Sequence, residues 1–385
     1  MDKVGMERQQ AVERYRRGES AGEICASMGR SIRWLYKWIE RAEGGGEWWV
    51  EHSRRWRGRG TRSSSEIEQV VVHTRQRLAR EDGFHGAQAI AWELEAGEQP
   101  CPSIATINRI LKRHGLIEAT TTRRPSKGRK YPGPVATHAG SVHQSDFVGP
   151  RYLRGPVRFY SLNTVDVATG RCATIPISGR SNDVVVPALW ESWVRLGFPL
   201  IQQFDNELVF FGSRLHPRGL SQVLRLCLMH DVEPLFIPPA EPWRNGVVEK
   251  FNDHWQQKVL AHPMTTFKEL ENRSLEFDAR HNSRWKYRKN AGRTPNQVLA
   301  LSSGSCRTPK QLTPPASPLP RPDRGRYHFV RFIRSDQKLD IFGETFALPP
   351  EAAHEYVQAT VDVAAEQLEI RMDNRLIQTC AYRRS

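Results

Sequence analysis

Three carboxylates carry the chemistry this sequence could do, and each stands where a predicted element ends. Asp146 closes the run SVHQSDFVG, which reads as a strand. Asp205 closes LIQQFDNE, where a second apolar strand stops, and Glu249 lies in PPAEPWRNGVVEKFNDHWQQ, on a helix behind a proline-broken strand end. Side chains at element ends can converge on one edge of a sheet. Carboxylates brought together raise one another's pKa, so they stay ionised together only where divalent cations neutralise them. Ligands offering oxygen alone select a hard ion, Mg2+, with Mn2+ as a substitute. Glu249 alone reads as a solvated glutamate of an amphipathic helix, and it is the pattern Asp, Asp, Glu that points to a metal site. A further acid, Asp166 in NTVDVATG, also follows a strand, but its Asp-x-x-x-Gly setting favours a turn and keeps it out of the site.

Local rules dictate the elements that must position these acids. Pro238, Pro239 and Pro242 can continue neither a ladder nor a helix, so the apolar run Leu235-Phe236-Ile237 ends there and the next helix begins near Arg244. Val248, Phe251 and Trp255 then make a buried stripe, while Asn245, Glu249, Asn252 and Gln256 share another face. Gly246 removes a side chain where something bulky must come close. Asn245, one turn before Glu249, either orients the carboxylate or a phosphate, or caps the helix. Upstream, the pattern reads as strands at 140–148, 157–167 and 171–178, a helix at 182–196, a strand at 199–205, a helix at 219–231, a strand at 233–238 and the helix at 244–260. Three antiparallel strands followed by β-α units make an α/β core.

The run P-x-R-N-G-V-V-E-K-F-N at residues 242–252, with Asp205-Asn206 and Asp146, resembles the DDE transposases and retroviral-type integrases, most closely bacterial insertion-sequence transposases with an integrase catalytic core. His281-Asn282 with Arg293-Thr294-Pro295 is similar to the segment that closes that core. The resemblance implies an RNase H-like core, N-terminal all-α helix-turn-helix domains and a small C-terminal SH3-like β-barrel. It implies Asp146, Asp205 and Glu249 as catalytic and metal-binding residues, serving phosphoryl transfer with two metal ions about 4 Å apart. Asp146 would bridge the ions; one would activate water and later a DNA 3′-hydroxyl, the other would stabilise the leaving oxygen, and no covalent protein nucleophile is needed. The implied partners are double-stranded DNA, both element ends and target, and further copies of the chain on DNA, with room for a helper ATPase. The implied setting is the bacterial cytoplasm, associated with the nucleoid. Two departures stand out: Asp205 is followed by Asn206-Glu207-Leu208-Val209-Phe210 in place of the family's Asn-Gly and acidic-aromatic pair, and 43 residues separate Asp205 from Glu249, with FGSRLHPRGL as the expected insertion. A non-catalytic helix-turn-helix regulator would explain the charge but not the 242–252 run, and a nuclease that cuts without joining would share the acidic site.

Charge points to the partner and to the boundaries. There are 57 Lys and Arg against 42 Asp and Glu, a net of +15, which favours nucleic acid. No run of 18 apolar residues is present, and the charged N-terminus MDKVGMERQQ predicts no signal peptide, so a membrane is not an expected partner. Six dispersed cysteines without a C-x-x-C pair read as reduced thiols. Residues 1–46 read as a helix-turn-helix domain, with Ile24, Leu35 and Ile39 inside and Arg30, Arg33 and Lys37 facing a DNA groove. Residues 47–63 form a basic linker whose Arg54, Arg55, Arg57 and Arg59 either lie in a minor groove or stay solvated. Residues 64–118 read as a second helical unit, either a DNA reader presenting Arg109, Lys112 and Arg113 or a packing unit. A basic linker at 119–139 leads to the core at 140–301, a Pro-rich linker at 302–325 and the barrel at 326–385. Positions 280–334 hold 13 Lys and Arg and one acid. There Arg284, Lys286, Arg288 and Lys289 interleave with Trp285 and Tyr287, a pattern suited to gripping phosphates or, alternatively, a solvated helix face.

Overall fold

The computed structural model describes residues 3–51, 63–81, 83–117, 131–213, 215–216, 218–302 and 306–383. Arg54, Arg55, Arg57 and Arg59, and most of the basic linker after residue 117, lie outside the described residues. The chain divides into two compact units, residues 1–64 and 65–385. Among the described residues, no helix is long and apolar enough to cross a membrane.

The first unit is three helices, α1 (Lys3–Arg16), α2 (Ala21–Met28) and α3 (Ile32–Glu43). Ser20 and Ser31 cap α2 and α3 by accepting from the Glu23 and Trp34 amides, and between them Gly29 takes a φ of 62°, which a side chain would oppose. This closes a tight turn around Ile24, Leu35 and Trp38, all fully buried. Ile39 is half-buried and packs both on the cluster of Ile24 and Leu35 and on a second one formed by Val12, Trp38 and Ala42.

The second unit opens with α4 (Ser65–Arg80), α5 (Ala87–Ala96) and α6 (Ile104–Arg113), packed on Val71, Ile90, Leu94, Ile107 and Ile110. The meander β1 (Val142–Tyr152), β2 (Arg158–Asp166) and β3 (Cys172–Ile177) follows. Then come α7 (Asn182–Leu196), β4 (Ile201–Phe204), α8 (Leu208–Phe211), α9 (Gln222–Met229) and β5 (Glu233–Phe236). A 3-10 turn at Pro242–Asn245 leads into α10 (Gly246–Val259), α11 (Phe267–Ser283) and α12 (Pro295–Leu301). The strand order β3-β2-β1-β4-β5, with β2 antiparallel to both neighbours and β4 parallel to β1 and β5, is that of the RNase H-like fold. Side-chain alternation on β2 serves both faces: Tyr160 and Leu162 pack with α7 and α9, Phe159 and Val165 with α10 and α11. Asp278 pins α11 to β3 by accepting from the Thr174 amide at 2.8 Å and its hydroxyl at 2.9 Å.

The tail supplies β6 (Arg326–Phe332), β7 (Lys338–Ile341), β8 (Glu344–Ala347), β9 (Tyr356–Asp362), β10 (Gln367–Met372) and β11 (Arg375–Ala381). Its strands do not form a separate body. β6 runs parallel to β5 through Leu235 with His328 and Phe236 with Phe329, so β6, β9, β10 and β11 extend the core into one nine-stranded sheet. The sequence suggests a single strand at 339–346, but a two-residue turn splits it into β7 and β8. Phe342 and Gly343 both have positive φ, 54° and 96°, the geometry of a type I′ hairpin. A phenylalanine holds that conformation because its ring stacks on Phe211, 3.4 Å between centroids, and meets Phe329 edge-on. Phe342→Ala should remove this anchor at a cost of about 3 kcal/mol, read as a drop of several degrees in the Tm of the full chain.

Candidate active site

Strand register brings the two aspartates side by side. Asp146 lies opposite Asn163 of β2, and on its other side β1 pairs in parallel with β4, Gln144 beside Gln203. Two residues further along, Asp205 follows the end of β4 level with Asp146. Period-two alternation puts residues 144, 146, 203 and 205 on one face, the face that α10 covers.

Three amide side chains lock α10 to that edge. Gln144 Oε1 accepts from the amides of Val247 and Val248 at 3.1 and 3.2 Å, satisfying donors of the first helical turn. Gln203 Nε2 donates to the Arg244 carbonyl at 3.0 Å and to Asn245 Oδ1 at 3.2 Å. Asn245, itself buried, donates from Nδ2 to the Ser145 carbonyl at 3.1 Å. Asn245 therefore neither caps the helix with its side chain nor reaches a carboxylate; it pins the 3-10 turn between β1 and β4, and the capping acceptor is Gln144. Glu249 sits one turn further on.

A second relay orients Asp146. Ser161 Oγ donates to Asn163 Oδ1 at 2.6 Å, Asn163 Nδ2 to Asn252 Oδ1 at 2.8 Å, and Asn252 Nδ2 to Asp146 Oδ2 at 2.8 Å. Asn252 is the functional residue the sequence concealed: its only signal was a place three residues after Glu249 on the same helical face. On the other side of the site, the loop after β4 is held from the C-terminal strands. Buried Arg331 of β6 donates to Asn206 Oδ1 and to the Ile237 carbonyl, both at 3.0 Å, while Asn206 Nδ2 donates to the same carbonyl at 2.7 Å.

The electrostatics are those of crowded acids. Burial, reinforced by the charges of Glu249 and Glu207, pushes Asp146 up to about 6. Burial and the charges of Asp146 and Glu207 push Asp205 up to about 7, against the Glu207 amide and Arg180, which favour ionisation. Glu249 is raised by burial and by Asp253. Glu207, where the chain departs from the family pattern, is thus a fourth acid facing both aspartates, and it is ion-paired to Arg180 at 2.7 Å. As donors, Asp146, Asp205 and Glu249 suit an oxygen-selective divalent ion. Among the described residues, however, no three acid, His or Cys side chains stand close enough to make a ready-made cage. The Glu249 carboxylate has no hydrogen-bond or ion-pair partner among the described residues. Asp166 lies elsewhere, opposite His143 on the sheet, and its carboxylate accepts from the Ala168 amide and the Thr169 hydroxyl in the turn after β2.

The candidate DNA contacts separate into cations that are ion-paired within the chain and cations that are not. Arg30 pairs with Glu7 at 2.9 Å, Lys37 with Glu51 at 2.8 Å, Arg113 with buried Glu68, and Arg284 with Glu81. Arg33 on α3 and Arg109 and Lys112 on α6 are exposed and unpaired among the described residues. Lys286, Arg288 and Lys289 are likewise without an ion pair there.

Residues 4–47 match the family described as homeodomain-like domain. No curated protein matches the chain. Among solved structures, the chain is similar to the HTLV-2 integrase catalytic core domain in complex with magnesium, at 18% identity and a TM-score of 0.34, over 43% of this chain and 99% of that one. It is similar to the BIV integrase catalytic core domain at 16% identity and a TM-score of 0.33, over 42% and 95%. It is also similar to a simian T-cell lymphotropic virus intasome in complex with PP2A regulatory subunit B56 gamma, at 15% identity and a TM-score of 0.35, over 81% and 97%. The fold is carried by the strand order above rather than by these likenesses.

Because folding raises the pKa of Asp205 from its usual range to about 7, the folded chain holds a proton there that the unfolded chain has lost, and stability falls as pH rises from about 4 through about 7. Asp205→Asn keeps the acceptor for the Glu207 amide and removes the charge. At pH 8 without divalent ions it should be more stable than the parent by about 1–3 kcal/mol, an advantage that fades toward pH 4 in thermal melts. A variant no more stable at pH 8 would mean that the two aspartates are not crowded as described.

Proposed function

We propose that the protein is a DNA transposase: it binds the ends of a mobile element and catalyses their metal-dependent cleavage and transfer into target DNA at Asp146, Asp205 and Glu249. The observation that carries this reading is the edge just described, two aspartates level on adjacent strands and a glutamate on a helix clamped to both. Divalent ions bound by these carboxylates would polarise the scissile phosphodiester and lower the pKa of the attacking hydroxyl. The chain's own contribution is positional. Asn252 fixes which oxygen Asp146 presents, Gln144 and Asn245 fix where α10 starts and hence the reach of Glu249, and Arg331 holds the loop that follows Asp205. Arg33 of α3 and Arg109 and Lys112 of α6 are assigned to the element ends, since they are exposed cations on those helices that no acid engages among the described residues. The basic cluster at Lys286, Arg288 and Lys289 is assigned to phosphates beside the core. Joining two ends to one target requires two active sites held together, so the working form is a homo-oligomer on DNA.

In strand-transfer assays with the DNA ends that the chain is found to bind, Asp146→Asn, Asp205→Asn and Glu249→Gln should each lower joining by several orders of magnitude while end binding persists. Asp166→Asn should retain most activity. Mg2+ or Mn2+ should be required, and Ca2+ should support assembly with little joining. Substantial joining by Glu249→Gln would remove Glu249 from the site.

For end recognition, Arg33→Ala and Lys112→Ala should each weaken binding by about tenfold and flatten its salt dependence. Arg30→Ala and Arg113→Ala, which break intramolecular ion pairs, should act mainly on thermal stability. Gel shifts of cognate and scrambled DNA across a salt series check this; equal affinity for the two sequences sinks the assignment.

A further inference from the structure

The acidic edge has two flanks, and α10 covers one. On the other, the segment between β3 and α7 brings Arg180 against the site. Its guanidinium lies over the ring of buried Tyr160, 5.1 Å from the centroid, on the face of β2 that packs with α7. From there Arg180 donates through Nη1 to Glu207 Oε1 at 2.7 Å. Glu207 stands two residues after Asp205, and its own amide donates to Asp205 Oδ1 at 3.1 Å, so the ion pair sits on the rim of the site. Both aspartates feel the charge of Glu207, and Asp205 feels that of Arg180. As a structural device the glutamate is badly placed. It adds a negative charge where two already stand, and its side chain does not cap α8. The pair keeps 37% and 38% of its side-chain surface exposed, and exposed pairs contribute little to folding. What Glu207 does accomplish is to occupy the guanidinium.

Carboxylate and phosphodiester both offer a guanidinium fork two oxygens, so one can take the other's place. We infer that Arg180 holds a backbone phosphate of the DNA that lies across the acidic edge, and that Glu207 occupies Arg180 in the free protein as an internal stand-in for that phosphate. Because the pair is exposed and weak, a phosphate arriving with the rest of the DNA can displace the carboxylate. The released Glu207 is repelled by Asp146 and Asp205 unless their charge is neutralised, so the exchange is easiest with a divalent ion present. The inference rests on the proposed action on DNA. It adds to that reading one assigned phosphate contact and a built-in competitor for it, at the position where the chain departs from the family pattern.

The test is binding, by fluorescence anisotropy in Ca2+, of the full chain to the DNA ends it is found to bind. Arg180→Ala should weaken the complex about tenfold, the loss of one charge-assisted contact. Glu207→Gln, which keeps the shape and removes the charge, should tighten it about threefold, the worth of an exposed ion pair. In the Arg180→Ala background the same Glu207→Gln change should do nothing, because its effect runs through the guanidinium. Methylphosphonates that neutralise one phosphate at a time should reveal a position whose replacement weakens the parent complex about tenfold and leaves that of Arg180→Ala unchanged. A tightening by Glu207→Gln that persists without Arg180 would make Glu207 a plain repelling charge. Methylphosphonate losses identical in the parent and Arg180→Ala would place Arg180 off the DNA. Either result would overturn this inference alone, whereas failure of the parent to bind DNA would overturn the proposed function as well.

Discussion

The structure depends on a small knot of amides. Gln144, Gln203 and Asn245 join two parallel strands to the first turn of the helix laid across them: the two strand glutamines spend their side chains on the helix start, and Asn245 spends its on both strands. Buried amides satisfied on every side are specific in a way apolar contacts are not, because a slip of one residue would leave donors and acceptors unpaired in a dry interior. The consequence is a fixed distance between the strand edge and the helix start. Side chains two residues beyond Gln144 and Gln203, and four beyond Asn245, are then placed relative to one another without touching. That is what a site made of like charges needs, since its members cannot hold one another.

The repulsion has to be opposed from outside, and two scaffolds do it. The relay from Ser161 through Asn163 and Asn252 ends on Asp146 and supplies a donor to the charged form. Arg331 cannot reach the aspartate itself; it grips Asn206 and the Ile237 carbonyl, and so holds the loop rather than the charge. An arginine buried this deeply has its pKa lowered to about 10 and still carries its proton at neutral pH, which makes it a permanent donor to four acceptors. It comes from β6, the strand by which the tail joins the core sheet. The tail is thus part of the site's frame, and loosening β6 from β5 would be felt at Asp205.

How much of this could be read from residues alone follows the range of the interactions. The helices of both N-terminal units, the β1-β2-β3 meander and α10 were legible because each is written in local signals: serine caps, a glycine stop, alternation, prolines before a helix. The turn role of Asp166 was legible for the same reason. The joining of the tail to the core was not, since a parallel pairing of two residues between β5 and β6 leaves no mark in either strand. The hairpin at Phe342-Gly343 was missed because a phenylalanine in the left-handed region is stabilised by Phe211, more than a hundred positions away. Asn252 and Gln144 have unremarkable positions in sequence and acquire a role only once two strands and a helix meet.

The basic residues show the same division between local and distant causes. Net charge says that cations are in excess, but not which ones are available. Arg30, Lys37, Arg113 and Arg284 look no different in sequence from Arg33, Arg109, Lys112 and Lys289, yet the first four are each engaged by a glutamate brought near by folding. Exposed pairs of this kind contribute little to stability, so their main effect is to subtract cations from the surface. What remains includes Arg33 of α3, Arg109 and Lys112 of α6, and Lys286, Arg288 and Lys289 beside the core. A polyanion approaching the second unit meets uncompensated charge at α6 and beside the acidic edge, whereas the acids themselves would repel a phosphate unless a divalent ion neutralised them.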